Sequence, residues 1–335
     1  MNYESSAIIL FTINSILPLI LLIVLGYVLK RIGFFTKEFL KIGNRLVFYV
    51  CLPVLLFKNI AEIESLSQIP FDVVLYILAI IAILLLLGFC ATLMVSDPRQ
   101  KGVLHQCIFR SNFALIGVPL AELIGGSEGV RIAAVLSLFS IPIYNISGVI
   151  VLSVYKGKGV GIDGKKIVKG IVTNPLIIGV CSGLIWAVAK SLMAGTGVMN
   201  GLVGLTFLPS TVDFIARAAT PLALIVLGGQ FDFQKMAGYK KPLLIGLIGR
   251  NLIAPLLGVG AAGIMVKAGM VSFGPEVFAA LIALFGTPVA VASAVMAESM
   301  DNDGQLAGQL VVWTSLLSIV SLFFCIALSR AFGLL

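Results

Sequence analysis

The sequence predicts an all-α integral membrane protein of ten transmembrane helices arranged as two five-helix inverted repeats. Its composition, the regular spacing of its apolar runs and prolines recurring at matching places in its two halves carry that expectation. Hydrophobic residues make up 59% of the 335 and charged residues only 11%, whereas a soluble globular chain is about a quarter charged.

Ten apolar stretches each approach the roughly twenty residues a bilayer requires. They run over about 7–29, 41–60, 72–95, 103–124, 130–155, 167–190, 208–229, 241–266, 275–298 and 305–332. The first reads as a retained helix and not a signal peptide: no Lys or Arg precedes it, Lys30 and Arg31 follow it, and Gly26-Tyr27 is a poor cleavage site. Most joints are short and carry helix-ending Gly, Pro, Asp and Lys. A basic linker, 156–166, separates a first repeat (1–155) from a second (167–335), and Gly195 to Thr206 is a second loose stretch, without charge.

The halves echo one another. Pro53 pairs with Pro221, 168 residues on, and Pro119 with Pro288, 169 residues on; Pro18-Leu-Ile and Pro175-Leu-Ile open the first span of each half. Because five is odd, the second half must enter the membrane in the opposite sense, which makes an inverted repeat. Loop charges agree. Lys30, Arg31, Lys37, Lys41, Arg45, Arg99, Lys101, the five lysines at 156, 158, 165, 166 and 169, and Lys235, Lys240 and Lys241 fall on one face; Lys58, Arg131, Lys190, Lys267 and Arg330 fall on the other. The richer face is cytoplasmic, so both termini are expected outside a multi-pass cell-membrane protein.

The same pattern excludes other classes. A net charge of +8 would suggest nucleic acid in a soluble protein, but here the basic residues sit in topology-setting loops. The five cysteines (51, 90, 107, 181 and 325) form no CxxC or Cys/His cluster, so neither a disulfide framework nor a metal site is expected. One histidine and no nucleophile or phosphate-binding motif argue against an enzyme. No cofactor is expected beyond a coupling proton or sodium ion.

Gly117-Val-Pro119 and Gly286-Thr-Pro288 carry the strongest functional signal. Proline lacks an N–H and clashes with the preceding turn, so each segment should break near mid-membrane. Freed backbone groups at that depth persist only where protein or a wet cavity satisfies them. Paired broken helices point to a transporter's binding site. Helices restarting there aim partly positive N–H groups at the midplane, suited to a carboxylate. Ser111 and Asn112, beside Arg110, precede the first break and can contact a polar ligand; Asn112 can equally glue two helices. Asp213 and Arg217, spaced i, i+4, either neutralise each other or form a proton or ion site. Arg110 and Arg250-Asn251 are candidates for anion attraction, with snorkelling to the interface as the alternative. His105 reads as interfacial.

These residues resemble the auxin efflux carrier family of membrane transporters, which includes the plant PIN proteins and bacterial organic-acid permeases. The likeness runs nearly end to end. It rests on Pro18-Leu-Ile-Leu-Leu-Ile-Val-Leu-Gly-Tyr-Val-Leu-Lys30, Tyr49-Val-Cys-Leu-Pro-Val-Leu-Leu-Phe57 and, most specifically, Ser111-Asn112-Phe-Ala-Leu-Ile-Gly117-Val-Pro119-Leu120. Pro221-Leu-Ala-Leu-Ile-Val-Leu-Gly228 and Thr287-Pro288-Val-Ala support it. The resemblance implies a fold related to bile-acid/sodium symporters and sodium/proton antiporters, with broken helices four and nine crossing. It also implies a scaffold, a mobile transport part, elevator-like movement and a homodimer. Asn112 falls on the asparagine with which members of this family contact substrate. With a linker of about eleven residues, control through a large loop does not carry over, and small mono- or dicarboxylates such as malate are the expected cargo.

The expected function is therefore secondary transport of a small organic anion. Asn112, Ser111 and Thr287 would give hydrogen bonds, Gly117, Pro119, Gly286 and Pro288 the crossover backbone, and Arg110 the field. Asp213, with Arg217, is the candidate for a coupling proton. A sodium-coupled symporter and a non-transporting anion sensor are the alternatives.

Overall fold

A computed structural model describes residues 17–18, 20–61, 70–155, 169, 172–193, 207–230 and 238–335. The start of the first apolar stretch, the basic linker, Gly195 to Thr206 and Lys235 lie outside the described residues. The described chain is helical: α1 (20–31), α2 (Lys37–Ala61), α3 (Phe71–Thr92), α4 (Pro98–Phe109), α5 (Phe113–Val154), α6 (Pro175–Leu192), α7 (Phe207–Gln230), α8 (Lys240–Lys267), α9 (Pro275–Gly286), α10 (Ala292–Ser299) and α11 (Gly304–Ala331). Among the described residues, α2, α3, α5, α7, α8 and α11 are each long and apolar enough to cross a membrane alone.

Helix starts follow local chemistry. Asp97 caps α4 by accepting from the Arg99 N–H, Thr36 caps α2 through the Phe39 N–H, and Asp303 caps α11 through the Leu306 N–H. Pro98, Pro175 and Pro275 open α4, α6 and α9, where the missing N–H costs nothing. Inside helices, proline has a different consequence. The N–H of Leu52, Val118 and Ala254 each donates to the carbonyl five residues back, at Val47, Phe113 and Gly249. Each stands immediately before a proline: Pro53, Pro119 and Pro255. These π turns widen the helix where an α-helical carbonyl would strike the proline ring, so the helix continues instead of stopping.

The helices pack in two groups. In one, α2 lies against α6 and α7, and α1 lies against α7; in the other, α9 packs along α5 while α3, α4, α8 and α11 enclose them. Helix α9 is buried from Val277 to Gly286. Gly126, at φ +61° and ψ −151°, kinks α5 between its outgoing and returning arms.

Two extended stretches replace the helix at the centre. After α4 the backbone of Arg110 is extended (φ −92°, ψ 111°), and after α9 so is that of Thr287 (φ −72°, ψ 155°). Ser111 and Val289 form an antiparallel bridge there, and the Asn112 N–H donates to the Pro288 carbonyl at 2.7 Å. The second break thus lies at Pro288, as proline chemistry predicts. The first lies at Arg110–Asn112 instead of Pro119, which sits inside the restarted helix behind its π turn.

Helices α1 and α7 meet at glycine. A Cβ on Gly228 would stand 1.9 Å from the Ile23 carbonyl oxygen, a backbone atom that cannot swing aside. Gly228→Val should therefore cost at least about 1–3 kcal/mol, seen as a lowered Tm or loss of monodisperse protein. Gly238→Ala, with nothing within 4 Å, should stay within about 0.5 kcal/mol.

Candidate functional site at the helix crossover

Where the breaks meet, a cavity of about 180 Å³ opens between the two helix groups. One wall is Arg110, Ser111 and Asn112, with the first turns of α5 and α10 and with Tyr144 and Asn145 from the returning arm of α5. The facing wall comes from α2 (Leu52, Leu55, Leu56, Asn59), Leu176 of α6, and Thr220 and Ala223 of α7. Drug-sized ligands occupy about 300–1,000 Å³, so this chamber suits a small guest.

Its electrostatics are one-sided. Among the described residues, no Asp or Glu lines the cavity. Arg110 is buried, donates to Asn145 Oδ1 at 2.8 Å and sets a second nitrogen against the Met296 sulfur. Asn145 is itself fixed by donating to the Ile141 carbonyl at 2.8 Å. Among the described residues no carboxylate forms an ion pair with Arg110. The N-terminus of α5 begins at Phe113 in the same wall, and leading helix N–H groups have no acceptor within their own helix. Three buried polar atoms beside them also lack a hydrogen-bond partner: Ser111 Oγ, Asn112 Nδ2 and Tyr144 OH. The Ser111 and Tyr144 hydroxyls are near enough to influence each other, but neither reaches hydrogen-bond geometry. Buried polar groups are normally satisfied, and these three donors are left open to a further acceptor. A guanidinium, an amide N–H and two hydroxyls facing helix N-termini can hold a carboxylate.

Of the residues singled out from sequence, the cavity brings together Arg110, Ser111 and Asn112. The others shape the crossing. A Cβ on Gly117 would approach Ala283 O to 2.8 Å, so glycine there lets α5 pass α9. Thr287 spends its hydroxyl on the Ala283 carbonyl at 3.0 Å, Gly286 packs beneath Leu322, and Pro288 gives its carbonyl to Asn112. Pro119 follows one turn into α5.

Asp213 stands apart from the cavity, bound to Lys58 of α2 and, at 2.6 Å, to Arg217. His105 is buried between α3 and α4, 2.8 Å from the Leu85 carbonyl, and does not sit on the outer surface of the protein. Arg250 does not snorkel either: it is fully buried at the crossover. Its Nε donates to Thr287 O at 3.0 Å, one amino nitrogen to Ile108 O and Phe109 O at 3.4 and 3.5 Å, and the other to Phe285 O. Tyr144 and Asn145 were missed from sequence; the only signal is two adjacent polar groups after Pro142 in an apolar span.

The crossed helix breaks, apolar spans and central polar cavity define a multi-pass membrane transporter. The family model described as "Membrane transport protein" matches residues 11–162 and 160–326. The chain belongs to this family, the auxin efflux carrier family. It is also 26% identical over 321 residues to an "Uncharacterized transporter" of Methanothermobacter thermautotrophicus, covering 92% of this chain and 95% of that one.

Among the described residues, Asn145 gives the Arg110 guanidinium its oxygen acceptor. Asn145→Ala leaves the guanidinium only a thioether, and should cost about 1.5–3 kcal/mol, the range for a hydrogen bond to a charged group. Thermal unfolding of the purified variant measures it.

Proposed function

We propose that the protein is a secondary transporter of a small organic anion, a mono- or dicarboxylate of malate's size, bound in the crossover cavity. The observation that carries this is the buried Arg110 guanidinium, without a carboxylate partner among the described residues, beside donors on Ser111, Asn112 and Tyr144 that likewise find no partner there. An isolated buried charge is costly; an arriving carboxylate offsets that cost and accepts the free donors in one step. In this scheme Asn112 and Ser111 bind the guest, Arg110 supplies the field, and Gly117, Pro119, Gly286, Thr287 and Pro288 hold the crossing.

Alternating access would move the group around α5 and α9 past α2, α6 and α7, carrying the cavity wall with it. A ten-span, inverted-repeat topology fits this: the antiparallel Ser111–Val289 bridge joins two opposed half-helices, and α4 with the start of α5, and α9 with α10, would each complete one span. The working unit would be a cell-membrane homodimer with both termini outside. Asp213, tied to two cations away from the cavity, suits an ion-pair role better than proton coupling.

A panel of carboxylates should stabilise the purified protein against heat. Asn112→Ala should weaken that binding about tenfold or more while the Tm without ligand stays near wild type. Stabilisation by amines or cations alone would overturn the anion assignment, and wild-type affinity in the variant would remove Asn112 from the site.

Movement has its own check. Asn44 of α2 donates to Ser299 of α10 at 2.9 Å, and Gln305 of α11 to the Gln230 carbonyl of α7 at 2.7 Å, both bridging the two helix groups. In a cysteine-free background, Asn44→Cys with Ser299→Cys, joined by a short thiol cross-linker, should stop uptake into proteoliposomes until the link is reduced. Uptake that survives complete cross-linking would exclude relative motion at this contact.

A further inference from the structure

We propose that Arg250 is the resident cation of the crossover, holding the negative ends of α4 and α9 so that anion binding at Arg110–Asn112 needs no sodium ion. The proposal builds on the carboxylate site above and concerns the opposite pole of the same crossing.

A helix end carries about half an elementary charge, negative at its C-terminus, and leaves its last carbonyls without intrahelical donors. Both α4 and α9 stop at the crossover, at Phe109 and Gly286. Two such ends amount to about one negative charge, matched by one guanidinium. Arg250 meets them with all three of its nitrogens: Ile108 and Phe109 carbonyls from α4, Phe285 and Thr287 carbonyls from the end of α9. Its side chain is fully buried, and no carboxylate pairs with it among the described residues. Those carbonyls are therefore its counter-charge, since a buried ion must be compensated locally.

Unwound carbonyls and half-helix C-termini are also what a coupling sodium ion coordinates in broken-helix transporters. Here the same class of oxygen already accepts N–H bonds from a fixed positive charge, and a second cation would meet repulsion. The placement is built into α8: Arg250 lies in the π turn 249–253, before Pro255. A Cβ on Gly249 would stand 2.7 Å from Ile108 Cγ1, so the neighbouring glycine lets α8 approach the end of α4. Arg250 is a positioning residue: it fixes the two half-helices whose continuations carry the anion site.

Thermal unfolding in sodium chloride against choline chloride tests this without any organic ligand. Wild-type protein should unfold at the same temperature in both salts. Arg250→Ala vacates the carbonyls, so its Tm should fall below wild type and be about 2 °C or more higher in sodium than in choline, a rescue that lost packing alone would not give. Arg250→Lys keeps the charge and should remain insensitive to the choice of cation. Sodium-specific stabilisation of the wild type or of Arg250→Lys overturns the proposal, as does a folded Arg250→Ala with equal Tm in both salts. If Arg250→Ala does not fold, a sodium-insensitive Arg250→Lys supports it. Adding the same panel of carboxylates to each arm separates the two readings. No carboxylate shift in wild type under either salt refutes the anion site, whereas a shift that requires sodium refutes the role of Arg250.

Discussion

Breaking a helix within a bilayer exposes backbone groups that have no water to turn to, and the centre of this protein is organised by that constraint. Two breaks meet, and each satisfies part of the other. The Asn112 N–H goes to Pro288 O, the Val289 N–H to the Thr314 hydroxyl, and four carbonyls around the ends of α4 and α9 go to Arg250. What stays open is the side where α5 begins, and there the unpaired side chains and the cavity lie. The site thus lies on the side of the crossing that these contacts leave open.

Proline chemistry made part of this legible in sequence. It marks where a straight α-helix cannot run, and Pro53, Pro119 and Pro255 all follow a π turn in the structure. Whether a proline breaks a helix or is absorbed depends on what else can accept the freed carbonyls, which is a property of neighbours far along the chain. Pro288 lies in a true break because Thr287 O and Phe285 O find Arg250. Pro119 is absorbed, and the break moves back to Arg110–Asn112, where the opposing strand supplies Pro288 O. Asn112 could be singled out from its local motif. Arg250 could be marked as a charge in an apolar span but its carbonyl partners could not, and Tyr144 and Asn145 could not be marked at all, because those contacts arise only when distant segments fold against α4 and α9.

The two helix groups differ in how they are fastened. Within each, backbones approach closely at glycine: Gly228 on Ile23, Gly117 on Ala283, Gly179 on Pro53. Such contacts are unforgiving of displacement, because the atom opposite is backbone. Between the groups, the cavity wall is largely small and aliphatic, and the named polar bridges are single hydrogen bonds at Asn44–Ser299 and Gln305–Gln230. Under the proposed scheme, alternating access would place its movement at this boundary of few directional bonds and not within either glycine-packed interior.

The two buried arginines divide the electrostatic work. Arg250 is surrounded by carbonyl oxygens from two helix ends and is neutralised whether or not a guest is present. Among the described residues Arg110 has one amide oxygen and one sulfur, so the chain itself offsets its charge only in part. A carboxylate bound as proposed would complete that compensation, and a neutral analogue would not. Under the proposed scheme the loaded group would therefore cross the low-dielectric interior with less unpaired charge than the empty one. Coulomb energies rise steeply as the dielectric falls, so substrate occupancy and movement would be coupled through Arg110 alone, with no accompanying cation.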